Sequence, residues 1–412
     1  MSFEVIYSAA HAEFQDAEPL GGGKAVADYL IREWGAATPF ALTVLSPRAL
    51  GMLDKTHPRP SREGTGAGLF CLQKQLAQMT ELEYARFCRQ FERAATAEIL
   101  RRDPRECVVL SNDISEGPNF AALGERGYRI VTIFHVDVVE YFTKFYLRNI
   151  VRPERLTKFR RFSLLPDVLR LVFQKQYECV RHSTRLVVPS VPMRDTILRC
   201  YPWCQPQRIV VLPWGDVSQR VTAGRDACAT RQFQISDDEF VILTLSRLSP
   251  EKGIERLLVA LRDIRPNERK VRVFICGAPA YMKGQRYAQK LRRLATKLTN
   301  IQVEFPGHVT GAEKAALLQR ADLFVSPSRH ESYGLTIAEA EAVGCRVLSH
   351  AHYGARGHVV DCGNRRAFAQ ALAEEIIMGR TRRSASLQKP SSSDTAQCMA
   401  QLLVEVASAP IP

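Results

Sequence analysis

Short apolar runs alternate with amphipathic helical stretches along nearly the whole chain of 412 residues. That alternation restricts the fold class, because strands separated by helices pair in parallel and have both faces covered. In the first half, FEVIYSA (3–9), FALTVLS (40–46), CVVLSND (107–113), YRIVTIFHVD (128–137) and RLVVPS (185–190) read as strands, and RIVVLPWG (208–215) as the connection leading out. Gly21-Gly22-Gly23-Lys24 reads as a turn before the helix AVADYLIREW. Thr80 with Glu83 forms a capping box that opens a helix running to about Arg101. Residues 54–68 read as a long exposed loop and 216–236 as a linker. A second alternating unit starts at VILTLS (241–246), followed by a helix with Ile254, Leu257, Leu258, Leu261 and Ile264 on one face. VRVFICG, IQVEFPG, DLFVSPS and RVLSH continue as strands, with YAQKLRRLATKL, AEKAALLQRA and GLTIAEAEAVG as the helices between them. Residues 379–395 read as a flexible segment before a last helix, TAQCMAQLLVEVA.

The expected architecture is therefore α/β, with two Rossmann-like domains facing across a cleft: an N-terminal domain over 1–215, a second over 216–378, and a terminal segment and helix over 379–412. An apolar content of 46% with 24% charged residues excludes a disordered chain. No run of about 18 apolar residues exists to cross a membrane, and the opening MSFEVIYSAAHAEF has no basic n-region for a secretory signal. Eleven scattered cysteines, with only Cys200 and Cys204 close together, read as reduced thiols of a cytosolic protein rather than a zinc or disulfide framework.

The formal charge of +14 leaves an anionic partner to be found: nucleic acid, a membrane surface or a phosphorylated substrate. Between 144 and 185 there are eleven Lys and Arg against three acids. The helix expected over VVEYFTKFYLRNIV sets Phe142, Phe145, Tyr146 and Ile150 among Lys144 and Arg148. Such a stretch suits an anionic bilayer, making the expected location the cytoplasm or the inner membrane face. It equally suits aromatics in the core under a solvated basic face. No nucleic-acid-reading motif or aromatic RNA platform is present, so no nucleic-acid partner is expected.

Ligands of doubly wound sheets bind beyond the carboxyl ends of the strands. After VILTLS come Arg247 and then Ser249-Pro250-Glu251-Lys252, with Ser249 a helix cap and Pro250 the first helical residue. A guanidinium and an ammonium beside a helix start suit a diphosphate; alone, they equally suit two surface cations near a cap. After DLFVSPS, Glu331 lies in the strand-to-helix loop and Glu339 a turn and a half into the helix. Gly334 at the helix start lets the backbone approach a phosphate closely. The two carboxylates would repel that phosphate and suit sugar hydroxyls, whereas Glu341 reads as solvent-facing.

SRLSPEKGIERLL, a strand ending in ICG, FPGHV and ADLFVSPSRHESYGLTIAEAEAVG, in this order, resemble glycosyltransferase family 4 (group 1). This is a family of retaining, GT-B-fold transferases that use nucleotide sugars. The resemblance is strongest over about 240–350. Its most specific part is Glu331 and Glu339 at E-x7-E spacing with Arg247 and Lys252 upstream. It implies that Arg247 and Lys252 neutralise the donor diphosphate, Glu331 contacts the donor sugar and Glu339 the ribose. It further implies that the backbone around Ser332, Tyr333, Gly334 and Leu335 holds the distal phosphate, with Gly307 and His308 beside the nucleobase. No metal and no cofactor is implied, the nucleotide sugar being a co-substrate, and fixed cations would carry the leaving-group charge.

By the same resemblance, Gly22 and Gly23 correspond to a Gly-rich loop near the phosphate and acceptor, and His135 to a histidine beside the donor sugar. Asp137 would orient His135 or touch the acceptor; Asn112 and Asp113 would contact the acceptor, a glycan, lipid or lipid-linked glycan. Gly344-Cys345-Arg346-Val347 stands where the family often has Pro, and Trp34-Gly35-Ala36 where it has a Gly-His pair. No nucleophile and acid/base pair for double displacement is identifiable, which leaves same-face attack with retention and proton uptake by the departing phosphate. The competing readings are a GT-B nucleotide-sugar 2-epimerase, a catalytically inactive binding module and a basic nucleic-acid-binding protein.

Overall fold

The computed structural model describes residues 3–12, 21–35, 38–52, 79–147, 150–158, 167–215, 217, 233–264, 269–280, 283–379 and 395–409. The expected loop at 54–68, most of the linker at 216–236 and nearly all of the segment at 379–395 lie outside these residues. The chain forms two compact units, 1–213 with 394–412, and 214–393.

The first unit carries a parallel sheet in the order β2-β1-β3-β4-β5-β6. Its strands are β1 (Glu4–Ser8), β2 (Ala41–Leu45), β3 (Cys107–Ser111), β4 (Arg129–Ile133), β5 (Arg185–Val188) and β6 (Ile209–Val211). The segment read as an exit connection is thus an edge strand, with Val187 registered on Val210. All residues of β3 and β4 are buried, as a strand covered on both faces requires. The connecting helices are α1 (Gly22–Trp34), α2 (Glu81–Ile99), α3 (Phe120–Gly124), α4 (Val138–Phe145), α5 (Pro153–Leu156), α6 (Asp167–His182) and α7 (Val191–Cys200). The Thr80/Glu83 capping box is formed in both directions at the start of α2.

Three expectations for this unit need correction. Gly22 and Gly23 form the first turn of α1, and only Gly21 precedes it, at φ 88°. Asp137 accepts from the Glu140 N–H at 2.8 Å and from Gln176 Nε2 at 3.1 Å, so it caps α4 and does not orient His135. The helix expected over VVEYFTKFYLRNIV ends at Phe145, and Lys175 of the basic run is buried, with Nζ 2.8 Å from Glu92.

The second unit carries a parallel sheet ordered β12-β11-β10-β7-β8-β9. Its strands are β7 (Phe240–Leu245), β8 (Val271–Cys276), β9 (Ile301–Gly307), β10 (Leu323–Ser326), β11 (Arg346–His350) and β12 (His358–Val360). Alternate residues of β7 feed opposite cores: Phe240 and Ile242 on one face, Val241, Leu243 and Leu245 on the other. The first core is closed by α8 (Ile254–Leu261), α9 (Gly284–Ala295) and α12 (Arg365–Met378), the second by α10 (Gly311–Arg320) and α11 (Leu335–Ala342). The last helix, α13 (Thr395–Ser408), returns to the first unit. There the Trp34 indole donates to the Ala396 carbonyl at 3.1 Å, and Arg129 reaches the carbonyls of Ala407 and Ala409.

Candidate functional site

In the second unit, the expected residues lie at the carboxyl ends of β7, β9 and β10. Beyond β7, Ser249 and Pro250 take the cap and first positions expected of them, but of a short 3₁₀ turn and not of α8. Pro250–Lys252 make a single 3₁₀ turn, and α8 starts after Gly253, which is left-handed at φ 61°. A Cβ at Gly253 would stand 2.5 Å from the Pro327 carbonyl, so the two loops meet backbone to backbone. The Ser249 hydroxyl donates to Glu251 instead of capping the helix. Glu251 also stands 3.9 Å from the Arg247 guanidinium.

That close approach brings Lys252 to Glu331, with Nζ donating to Oε1 at 2.6 Å. Burial pushes the Glu331 carboxyl up, but Lys252 and His352 outweigh it and hold it below the usual range. Both ring nitrogens of His352 are buried without a hydrogen-bond partner, and burial drives its pKa down to about 4. The imidazole is therefore neutral at pH 7.

Gly334, at φ 74°, starts α11, and no side chain caps it. The first N–H groups of the helix have no partner within it. Gly354 is fitted against this start: a Cβ there would lie 2.4 Å from the Tyr333 carbonyl. Ser332 and Tyr333 are buried, and Arg356 lies over the Tyr333 ring, 4.7 Å from its centroid. Leu335 is half-buried at the first position of the helix.

Glu339 is buried on α11 and accepts from Lys314 Nζ at 2.6 Å. Burial outweighs this ammonium and holds the Glu339 carboxyl above its usual range. Lys314 was not singled out by the sequence, since a lysine on an amphipathic helix reads as solvated. Glu341 is partly exposed, with Oε2 3.5 Å from Arg356. Gly307 closes β9 with its carbonyl accepting from the Gly277 N–H at 2.6 Å, and a Cβ there would meet nothing within 4 Å. His308 is exposed. Beside this segment runs a groove of about 470 Å³ lined by Phe233, Glu304, Phe305, Pro306, Val309 and Glu313.

In the first unit, a polar cluster stands at the carboxyl ends of β1, β3 and β4. His135 Nε2 lies 3.3 Å from Asn112 Oδ1, which also accepts from the Tyr7 hydroxyl at 2.6 Å. Asn112 Nδ2 donates to Asp113 at 2.8 Å and to the Gly23 carbonyl at 3.2 Å. Gly23, Asn112, Asp113 and His135 are thus brought together. Burial lowers the His135 pKa, with Asp113 opposing. Sequence reasoning missed Tyr7, His11, Tyr84 and Glu116. His11 Nδ1 lies 3.5 Å from Asp113 Oδ2 and its Nε2 3.5 Å from Glu116 Oε1, while the Tyr84 hydroxyl donates to Glu116. The sequence position of His11, just beyond β1, was the available signal.

The model of the glycosyl transferases group 1 family matches residues 229–379, the stretch that carries both lysine–glutamate pairs. That stretch is similar to the group 1 glycosyl transferases. The alpha-monoglucosyldiacylglycerol synthase of Streptococcus pneumoniae is 34% identical over 120 residues, 28% of this chain and 25% of that protein. The D-inositol 3-phosphate glycosyltransferase of Geodermatophilus obscurus is 32% identical over 189 residues, 45% of this chain and 42% of that one. The chain thus matches less than half the length of either relative. Sucrose-phosphate synthase from Thermosynechococcus elongatus has the same fold, with a TM-score of 0.64 at 18% identity over 98% of this chain and 96% of the other. The fold is GT-B, two α/β units each built on a parallel sheet.

Proposed function

We propose that the protein transfers a hexose from a nucleotide sugar to an acceptor hydroxyl with retention at the anomeric carbon. The observation that carries this reading is the meeting of Lys252 with Glu331 beside an uncapped helix start within the group 1 stretch. In this reading Arg247 and Lys252 take the donor diphosphate, the N–H groups at the start of α11 take its distal phosphate, and Glu331 and Glu339 take hydroxyls of sugar and ribose. Charge building on the leaving diphosphate is met by fixed cations and N–H groups, so the reaction needs no metal. The nucleobase lies along Gly307 and His308. The first unit supplies the acceptor side, with Gly22, Gly23 and His135, and attack comes from the face the diphosphate leaves. The departing phosphate takes the acceptor proton.

A lipid or lipid-linked acceptor at the inner membrane face is part of the proposal. Beyond α4, Tyr146 is 54% exposed and Ile150 83% exposed, next to exposed Arg152, Arg155 and Lys158. Apolar side chains fringed by cations suit a bilayer with anionic lipid. No helix of the described residues is long and apolar enough to cross a membrane.

Thermal unfolding with UDP-, GDP- and ADP-sugars tests the donor site, since a ligand at 100 times its Kd stabilises by about 2.7 kcal/mol. One nucleotide family is expected to raise Tm, and EDTA to leave turnover unchanged. An NMR assignment of the product showing inversion would overturn the mechanism, and epimerised donor without acceptor product would overturn transfer. Retention in the supernatant with anionic liposomes at low salt would overturn the membrane partner.

A further inference from the structure

We propose that the polar cluster of the first unit accepts a neutral hydroxyl compound and rejects an acceptor bearing a phosphate beside the reacting hydroxyl. The inference rests on the glycosyl-transfer reading and narrows its acceptor class. It starts from the register: Ser8 pairs with Ser111, and Ser111 with Thr132, so β1, β3 and β4 end level. The residues just beyond those ends therefore converge, which places His11, Asn112, Asp113 and His135 together.

Among the described residues, this cluster sets two carboxylates against one imidazole. Asp113 and Glu116 take opposite nitrogens of the single imidazole of His11, each at 3.5 Å. The cation carried into the neighbourhood by α1 is Lys24, and it is buried with its Nζ 2.5 Å from Asp28. His135 is held neutral by burial, because desolvation disfavours its charged form.

The first turn of α1 would ordinarily attract an anion, since its N–H groups and dipole favour negative charge. Here the protein's own carboxylate lies against that turn. Asp113 Oδ1 is 3.2 Å from where a Cβ on Gly23 would stand, and Asp113 Oδ2 is fixed by Asn112 at 2.8 Å. An incoming phosphate would meet Asp113 in the place it needs, with Glu116 one imidazole away, and like charges at such range repel. An alcohol meets the opposite situation: carboxylate oxygens accept its O–H in charge-assisted hydrogen bonds.

The test uses matched acceptors with the full-length protein and whichever donor raises its Tm. The pairs are dioleoylglycerol against dioleoylphosphatidylglycerol in mixed micelles, glucose against glucose 6-phosphate, and inositol against inositol 3-phosphate. The neutral member of the productive pair is expected to react at least tenfold faster. Asp113→Asn, which keeps shape and removes charge, is expected to reduce that preference at least fivefold while the donor still raises Tm. Glu116→Gln is a second variant with the same expected direction should Asp113→Asn fail to fold. A faster phosphorylated member, a preference unmoved in both folded variants, or no transfer to any of the six overturns the inference. Loss of the donor Tm shift in the unmodified protein instead overturns the transfer reading itself.

Discussion

Lys252 and Glu331 lie 79 positions apart in the chain and 2.6 Å apart in space. The ion pair exists because Gly253 lets the loop after β7 pass against the Pro327 carbonyl at the end of β10. With its carboxyl held low by Lys252 after the burial penalty is overcome, Glu331 stays ionised through neutral and mildly acid pH. Glu331→Ala should lower kcat/KM at least 100-fold, equivalent to about 2.7 kcal/mol of transition-state stabilisation. Lys252→Ala should do the same, and the double variant should lose little more than either, because each single change strands its partner. Steady-state kinetics on the three variants measure the coupling.

The second pair behaves differently with pH. Glu339 is pushed up by burial and only partly restrained by Lys314. In the proposed donor site its ionised form would accept from ribose hydroxyls, so donor affinity should weaken as pH falls through its raised pKa. Lys314→Met should lift the pKa further and move that loss to higher pH, with a tenfold or greater rise in donor Kd at pH 6. Calorimetric titration of donor between pH 5 and 8 measures both effects.

Asp137 gives a stability prediction with a defined window. Burial raises its pKa from 3.8 to about 6. The folded state therefore holds this proton more tightly than the unfolded chain, and stability is lost as pH rises from about 4 to 6 and stays reduced above it. Asp137→Asn keeps the cap on Glu140 N–H and removes the buried charge. The variant should be more stable than the unmodified protein at pH 7.5, by up to about 3 kcal/mol, with the advantage shrinking to nothing near pH 4. Urea unfolding at the two pH values measures the difference.

Two glycines separate a site effect from a fold effect. Gly23 has ordinary helical geometry, and an alanine Cβ there meets Asp113 Oδ1 at 3.2 Å and His135 Cδ2 at 3.4 Å. Gly23→Ala should gain helix propensity, change stability by less than about 1 kcal/mol and still reduce turnover by displacing those side chains. Gly334 sits at φ 74° with Ile337 Cδ1 2.9 Å and the Gly354 carbonyl 3.1 Å from a Cβ. Gly334→Ala should cost about 1–3 kcal/mol and reduce turnover as well. Thermal unfolding and initial rates on both variants test the contrast.

Much of the fold was legible because period-2 and period-3.6 patterns report burial directly. The continuous runs at β3, β4 and β7 could only be strands covered on both faces. The motif residues of the second unit were legible because their order resembles that of glycosyltransferase family 4, with Arg247 and Glu331 in loops after strands and Glu339 on α11. What escaped depends on contacts between distant segments. Lys314 looked like any solvated helix residue until α10 and α11 set it against Glu339. His11, Tyr84 and Glu116 share no spacing; the level ends of β1 and β3 bring His11 and Glu116 together, and α2 carries Tyr84 to them. Asp137 was misread because a carboxylate two residues from a site histidine and a helix cap look alike in sequence. The Gly-rich turn and the Ser249 cap failed for a related reason: where a helix starts depends on which backbone groups neighbouring loops satisfy.

The return of α13 makes the first unit discontinuous in sequence. A stop codon anywhere in 380–394 would leave the group 1 stretch intact, yet the damage would fall on the other unit. Trp34 would lose the carbonyl that receives its indole proton, Arg129 would lose two acceptors, and the apolar face of α13, with Met399, Leu403 and Val406, would no longer cover that unit. Late-truncated chains would therefore keep the sequence signature of a transferase while lacking part of a core otherwise encoded by residues 1–213. Searching for the motif alone would count such products as whole.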